Sequence, residues 1–173
     1  MVMNHDLSLT RLEYNRATVG IRSPQVVTLK AGDVVFRFGS TKNPHTGAAI
    51  DPSLWARGAW WFQEPAYRRI IETFQAGKLG LGTVARFAGA VQPSWSNMDV
   101  SIKAELVHDI NVYIGKGARQ YRDQLPNGMF VTLSGWPDID QLYIPGLRGP
   151  SFAALRIIRQ KIVTTDSFGF ANI

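Results

Sequence analysis

The chain contains no cysteine, which removes disulfides, thiol nucleophiles and thiolate metal sites from consideration. No apolar run approaches the roughly 18 residues that a membrane-spanning helix requires. Met1 to Arg16 carries charges throughout and no apolar h-region, so a secretory leader is not expected and a cytoplasmic setting is, with delivery into another cell left open. Histidines number three, His5, His45 and His108, too far apart for a local ligand motif such as HExxH, and no metal is expected. No G-x-S-x-G elbow occurs, and a serine triad has no support. Acidic residues are the scarcer charge: 13 Asp and Glu against 19 Lys and Arg give a net +6, which favours anionic partners. The basic residues are scattered, however, in small groups such as Arg68–Arg69, Arg119–Arg122 and Arg156–Lys161. What remains is ample apolar material: 45% hydrophobic and 11% aromatic residues over 173 positions. That suits one compact domain spanning residues 1–173 and excludes wholesale disorder.

The first clear element is Asp33–Phe38 (DVVFRF), whose β-branched and aromatic residues between Gly-containing turns predict a strand. Alternation places Val35 and Arg37 on one face and Val34, Phe36 and Phe38 on the other. A loop over Gly39–Ile50 follows, then Asp51-Pro52, an N-cap with proline at the first helical position. Ala59–Phe62 (AWWF) predicts a second strand. Glu64–Ala76 predicts a helix: Pro65 stands near its start, Gly77 at its end, and Tyr67, Ile70, Ile71 and Phe74 form one stripe. Leu79–Val91 is helix or sheet, and Gln92–Met98 a loop. Strand character returns over Val100–Ile114, with His108-Asp109 expected inside a strand. Lys116–Asn127 reads as a polar connector ending in a Pro-Asn-Gly turn. Met129–Leu133, Gln141–Ile144 and Leu155–Val163 complete the strands. The layout predicts an α+β domain with a mostly antiparallel or mixed sheet.

Two glycine motifs invite a phosphate-loop reading. Gly80–Ala85 spells GxGxxA, but a helix precedes it where the dinucleotide fingerprint needs a strand, so small-residue packing is expected. Gly115-Lys116-Gly117 lacks the rest of a Walker A pattern and reads as a strand-end turn.

The order of strand-borne Arg in VFRFGS (Val35–Ser40), aromatic strand in GAWWF (Gly58–Phe62) running into a helix, and late DIDQLYIP (Asp138–Pro145) resembles the ADP-ribosyltransferase superfamily. The resemblance implies an enzyme that uses NAD as substrate and transfers ADP-ribose to a macromolecular acceptor, protein or nucleic acid, or to water. It implies that Arg37, beside Gly39 and Ser40, anchors the phosphate and ribose part of NAD. Trp60 or Trp61 would flank the nicotinamide, with Tyr67 as a second ring. Asp140 would stabilise the oxocarbenium, with Gln141 or Asp138 positioning the acceptor. Two departures stand out: no serine occupies the second-strand motif, and no Glu follows Glu105. Counting back from Pro145 puts Gln141 at the acid's place, whereas the acid-x-acid spacing selects Asp140. A small toxin or effector is the family analogy. The alternative is a non-catalytic nucleic-acid-binding module that uses loop residues Trp95 and Trp136 with Arg119, Arg122, Arg148, Arg156 and Arg159.

Overall fold

A computed structural model describes residues 2–124 and 130–165. Three helices, α1 (Arg11–Ala17), α2 (Glu64–Ala76) and α3 (Leu81–Gly89), accompany nine strands. The strands are β1 (Ile21–Leu29), β2 (Val34–Gly39), β3 (Trp60–Gln63), β4 (Val100–Leu106), β5 (Ile110–Gly117), β6 (Gln120–Gln124), β7 (Phe130–Leu133), β8 (Asp140–Tyr143) and β9 (Leu155–Ile162). Seven of them form one sheet in the order β1-β5-β8-β3-β2-β4-β9, every pair antiparallel, while β6 and β7 pair separately. The fold is α+β, as the layout of an early helical section followed by several strands predicts.

Strand alternation divides the core into two faces. Val35, Trp61, Val100, Ile102 and Leu142 meet Ala56, Leu147 and Ala154 on one face, covered by short 3-10 turns at Pro52–Arg57 and Pro150–Ala154. On the opposite face Phe38 and Phe62 pack beneath α2 and α3, through Ala66, Ile70, Val84 and Ala88. Leu7 and Ala17, from the segment leading into and through α1, cover Ile21, Tyr113 and Tyr143.

Helix α2 occupies the expected residues, with Arg68, Arg69, Glu72 and Gln75 on its exposed side. The Asp51-Pro52 start is also found: Asp51 accepts a hydrogen bond from the Ser53 amide at 2.8 Å and caps a 3-10 turn. The segment 79–91 resolves as helix, and its GxGxxA residues serve packing, because a Cβ at Gly82 would overlap the Met98 carbonyl.

Three expectations need correction. His108-Asp109 is not inside a strand: the region splits into β4 and β5, and these residues form the turn between them. Asp109 anchors that turn by accepting from the Ala31 amide and from Lys30 Nζ, both at 2.9 Å. The connector over Lys116–Asn127 is partly strand, since β5 runs through Gly117 and β6 begins at Gln120. The expected Pro-Asn-Gly turn lies outside the described residues. No element is expected over 20–32, yet β1 lies there; its pattern is broken by an irregularity between Arg22 and Gln25, where Ser23 takes φ 51° beside Pro24.

Ile70 has no exposed surface and sits between α2 and the sheet. Ile70→Ala is expected to lower unfolding free energy by about 2–5 kcal/mol, read from denaturant midpoints at unchanged slope.

Candidate functional site

Arg37 is at the centre of β2, paired in register with Ile102 of β4. Its face is otherwise apolar, with Val35 two residues before it, so a guanidinium there needs acceptors. Main-chain carbonyls supply them: Nε donates to Trp55 O at 3.2 Å and Nη1 to Trp60 O at 2.9 Å. Gly58 makes the space, because a Cβ at that position would overlap the guanidinium. Beside Arg37 opens a cavity of about 710 Å³, within the range of small-molecule sites.

Four separate segments build its wall. The loop after β2 contributes Ser40, Asn43 and His45; the 3-10 turn that follows contributes Trp55 and Arg57; the α3–β4 loop contributes Ser94 and Trp95; the loop after β8 contributes Arg148. These walls are tied down. Asn43 Oδ1 accepts from the His45 and Thr46 amides. Trp55 Nε1 donates to Ile50 O at 3.0 Å. Arg86 of α3, itself buried, donates to Val91 O and Ser96 O and so fixes the loop bearing Trp95. Ser40 Oγ donates to Ser96 Oγ and accepts from the Asn97 amide, joining two walls.

The electrostatics are one-sided. Arg37, Arg57 and Arg148 all face the cavity, and among the described residues no carboxylate lines it. Among the described residues none of the three is in an ion pair. Arg57 stacks over the Phe152 ring at 4.5 Å, and its Nε is buried without a hydrogen-bond partner. Burial, then the positive charge of Arg148, pushes the Arg37 pKa down to about 10, below the ordinary arginine range. It stays charged at neutral pH, but at a cost, since the unfolded chain holds the same proton more tightly. That cost is present below about pH 10 and is relieved as the pH rises above it toward the ordinary arginine range. An anion in the cavity would offset it directly.

The other sequence-predicted site residues are distributed more widely. β3 lies between β2 and β8, so the three segments that carry the family resemblance are adjacent strands. Register sets Trp60 opposite Tyr143 and Trp61 opposite Leu142. Trp61 shares Arg37's face but is fully buried, its Nε1 donating to Gly58 O at 2.7 Å beneath the cavity. Trp60 points to the opposite face, edge-on to Tyr143 with centroids 4.9 Å apart. Tyr67 stacks on Phe36 at 3.9 Å, also away from Arg37. Gly39 is buried behind the cavity, whereas Ser40 lines it.

The late carboxylates do not reach Arg37's cavity. Asp140 pairs with Lys116 at 2.8 Å, and Asp138 with Arg69 at 2.9 Å; the hydrogen bond from Arg69 holds the Asp138 carboxyl below its ordinary range. Gln141 is buried on the opposite face, donating to Gly89 O at 2.7 Å. Lys116, from the Gly-Lys-Gly motif, is thus occupied within the sheet. Arg57 and His45 were not singled out by the sequence, and the only signal for them is that 52–61 and 40–50 are poor in acids. Trp95 and Arg148, named for nucleic-acid binding, line the same cavity as Arg37.

No family model matches this chain, and no curated protein matches it. Among solved structures it is similar to one described as "Rhs1-CT in complex with cognate immunity protein RhsI1". The two share 12% identity and a TM-score of 0.51, over 83% of this chain and 84% of that one. The likeness is one of fold.

Inorganic pyrophosphate at about 100 times its Kd is expected to raise unfolding free energy by about 2.7 kcal/mol. Gly58→Ala, with its backbone in an ordinary extended conformation (φ −80°, ψ 150°), should displace the Arg37 guanidinium and abolish that shift while leaving the fold intact by circular dichroism. Affinity for pyrophosphate should also fall as the pH passes about 10, where Arg37 loses its charge.

Proposed function

We propose that this chain is an effector-type domain that takes NAD as a substrate in the Arg37 cavity and passes its ADP-ribose to a macromolecular acceptor or to water. The observation that carries this reading is the Arg37 guanidinium, held by two carbonyls rather than a carboxylate, opening onto a cavity with two more arginines and, among the described residues, no acid. Planar guanidiniums match phosphate oxygens, and charge-assisted contacts of this type are about twice as strong as neutral ones. Trp95, 37% exposed at the cavity edge, offers a ring on which a base can stack. The three segments that carry the ADP-ribosyltransferase resemblance lie on adjacent strands, β2, β3 and β8. The fold is shared with a protein described in complex with a cognate immunity protein, and that likeness supports the effector reading.

In the reaction the C1′–N bond breaks with its electron pair moving to nicotinamide, which leaves neutral. The resulting oxocarbenium at C1′ accepts a lone pair from the acceptor, whose proton departs. The residues of the cavity bind and orient: Arg37 and Arg57 hold the pyrophosphate, and Trp95 holds a ring. Asp140, committed to Lys116 on β5, is not part of that lining, so it is not placed to serve the electrostatic role that the resemblance implies for it.

The nucleic-acid reading has a weaker basis. Trp136 packs into the core beneath Arg69, Arg119 lies on Tyr121, and Arg156 is paired with Glu105. None of those three groups is among the residues that line the cavity with Trp95.

Purified protein is expected to release nicotinamide from NAD, with Arg37→Ala lowering the rate by about 100-fold or more and Asp140→Asn changing it by less than about twofold. Release that is indifferent to Arg37, or absent with and without cell lysate from folded protein, would contradict the reading.

A further inference from the structure

The cavity holds more positive charge than NAD can neutralise. NAD's pyrophosphate has one negative charge on each phosphate, and its nicotinamide ring is itself cationic. Three guanidiniums face that space with no carboxylate among the lining residues. Arg37 and Arg57 lie at the inner wall, one fastened to carbonyls and the other with its buried Nε unpartnered. Arg148 is different. It comes from the loop after β8, is exposed, and has no ion pair among the described residues. Two cations set against each other across a ligand-sized space are repulsive unless an anion lies between or beside them.

We propose that the cavity is built for a dinucleotide with a third phosphate, a 2′-phosphorylated NAD (NADP), and that Arg148 is the residue that recognises the extra group. This rests on the NAD reading and names the member of that substrate class the site prefers. A phosphate monoester adds about −1.5 to −2 charge near neutral pH and three acceptor oxygens. That charge matches the guanidinium left over once the pyrophosphate is placed on Arg37 and Arg57. Arg148's position at the rim suits a group that branches from the ribose, because a 2′-phosphate projects off the dinucleotide's path. A ligand with only two phosphates leaves Arg148 facing Arg37 uncompensated.

The reduced dinucleotides NADH and NADPH test this, since they lack the cationic leaving group and allow binding to be measured without turnover. Calorimetric titration at low ionic strength is expected to show NADPH binding about tenfold more tightly than NADH. Arg148→Gln should reduce that ratio to below about twofold, chiefly by weakening NADPH. Equal affinities in the unaltered protein, a preference that survives Arg148→Gln, or no binding of either nucleotide would overturn the proposal. Nicotinamide release measured beside these titrations separates the two claims. Release with equal affinities removes the NADP preference alone. An Arg148-dependent preference without release upholds the preference and removes the bond-breaking reading.

Discussion

A guanidinium held by main-chain carbonyls in the middle of a strand is the arrangement on which the site depends. Arg37 donates to Trp55 O and Trp60 O, so one side chain ties β2 to the 3-10 turn before β3 and to the first residue of β3. Carbonyls accept from its Nε and Nη1 without cancelling its charge. A carboxylate in their place would neutralise the site. The uncompensated charge is a local cost that an anionic ligand removes, and sites of function are where such costs are retained.

The sheet extends this logic. Adjacent strands β2, β3 and β8 bring three separate sequence segments together, but alternation sends their side chains to different places. Trp61 becomes the floor beneath Gly58, Trp60 and Gln141 serve the opposite face, and Asp138 and Asp140 fasten β8 to α2 and β5. The cavity is therefore completed by loops: the segment after β2, the Trp95 loop held by Arg86, and the Arg148 loop.

Much of the fold was legible because local chemistry and burial agreed. Helix α2 has a full apolar stripe between a proline and a glycine, and β2 has unbroken β-branched and aromatic character. Strand β1 was not legible, since Pro24 and the irregular register interrupt its alternation. Nor was α1, whose Leu12, with the preceding Leu9, is exposed and cannot reveal a buried stripe. Of the site, Arg37 could be read from its strand position beside a Gly-Ser turn. Arg57, His45 and the convergence of Arg148 and Trp95 on Arg37 are products of tertiary packing between distant segments, which spacing in the chain does not encode.

The most direct test of the central claim is a crystal structure of the protein with bound NADH. The account predicts both pyrophosphate phosphates within about 3 Å of guanidinium nitrogens of Arg37 and Arg57. Dinucleotide seated elsewhere, such as the trough between α2 and β9 lined by Tyr67, Ile71 and Arg159, with the Arg37 cavity free of it, would contradict the account.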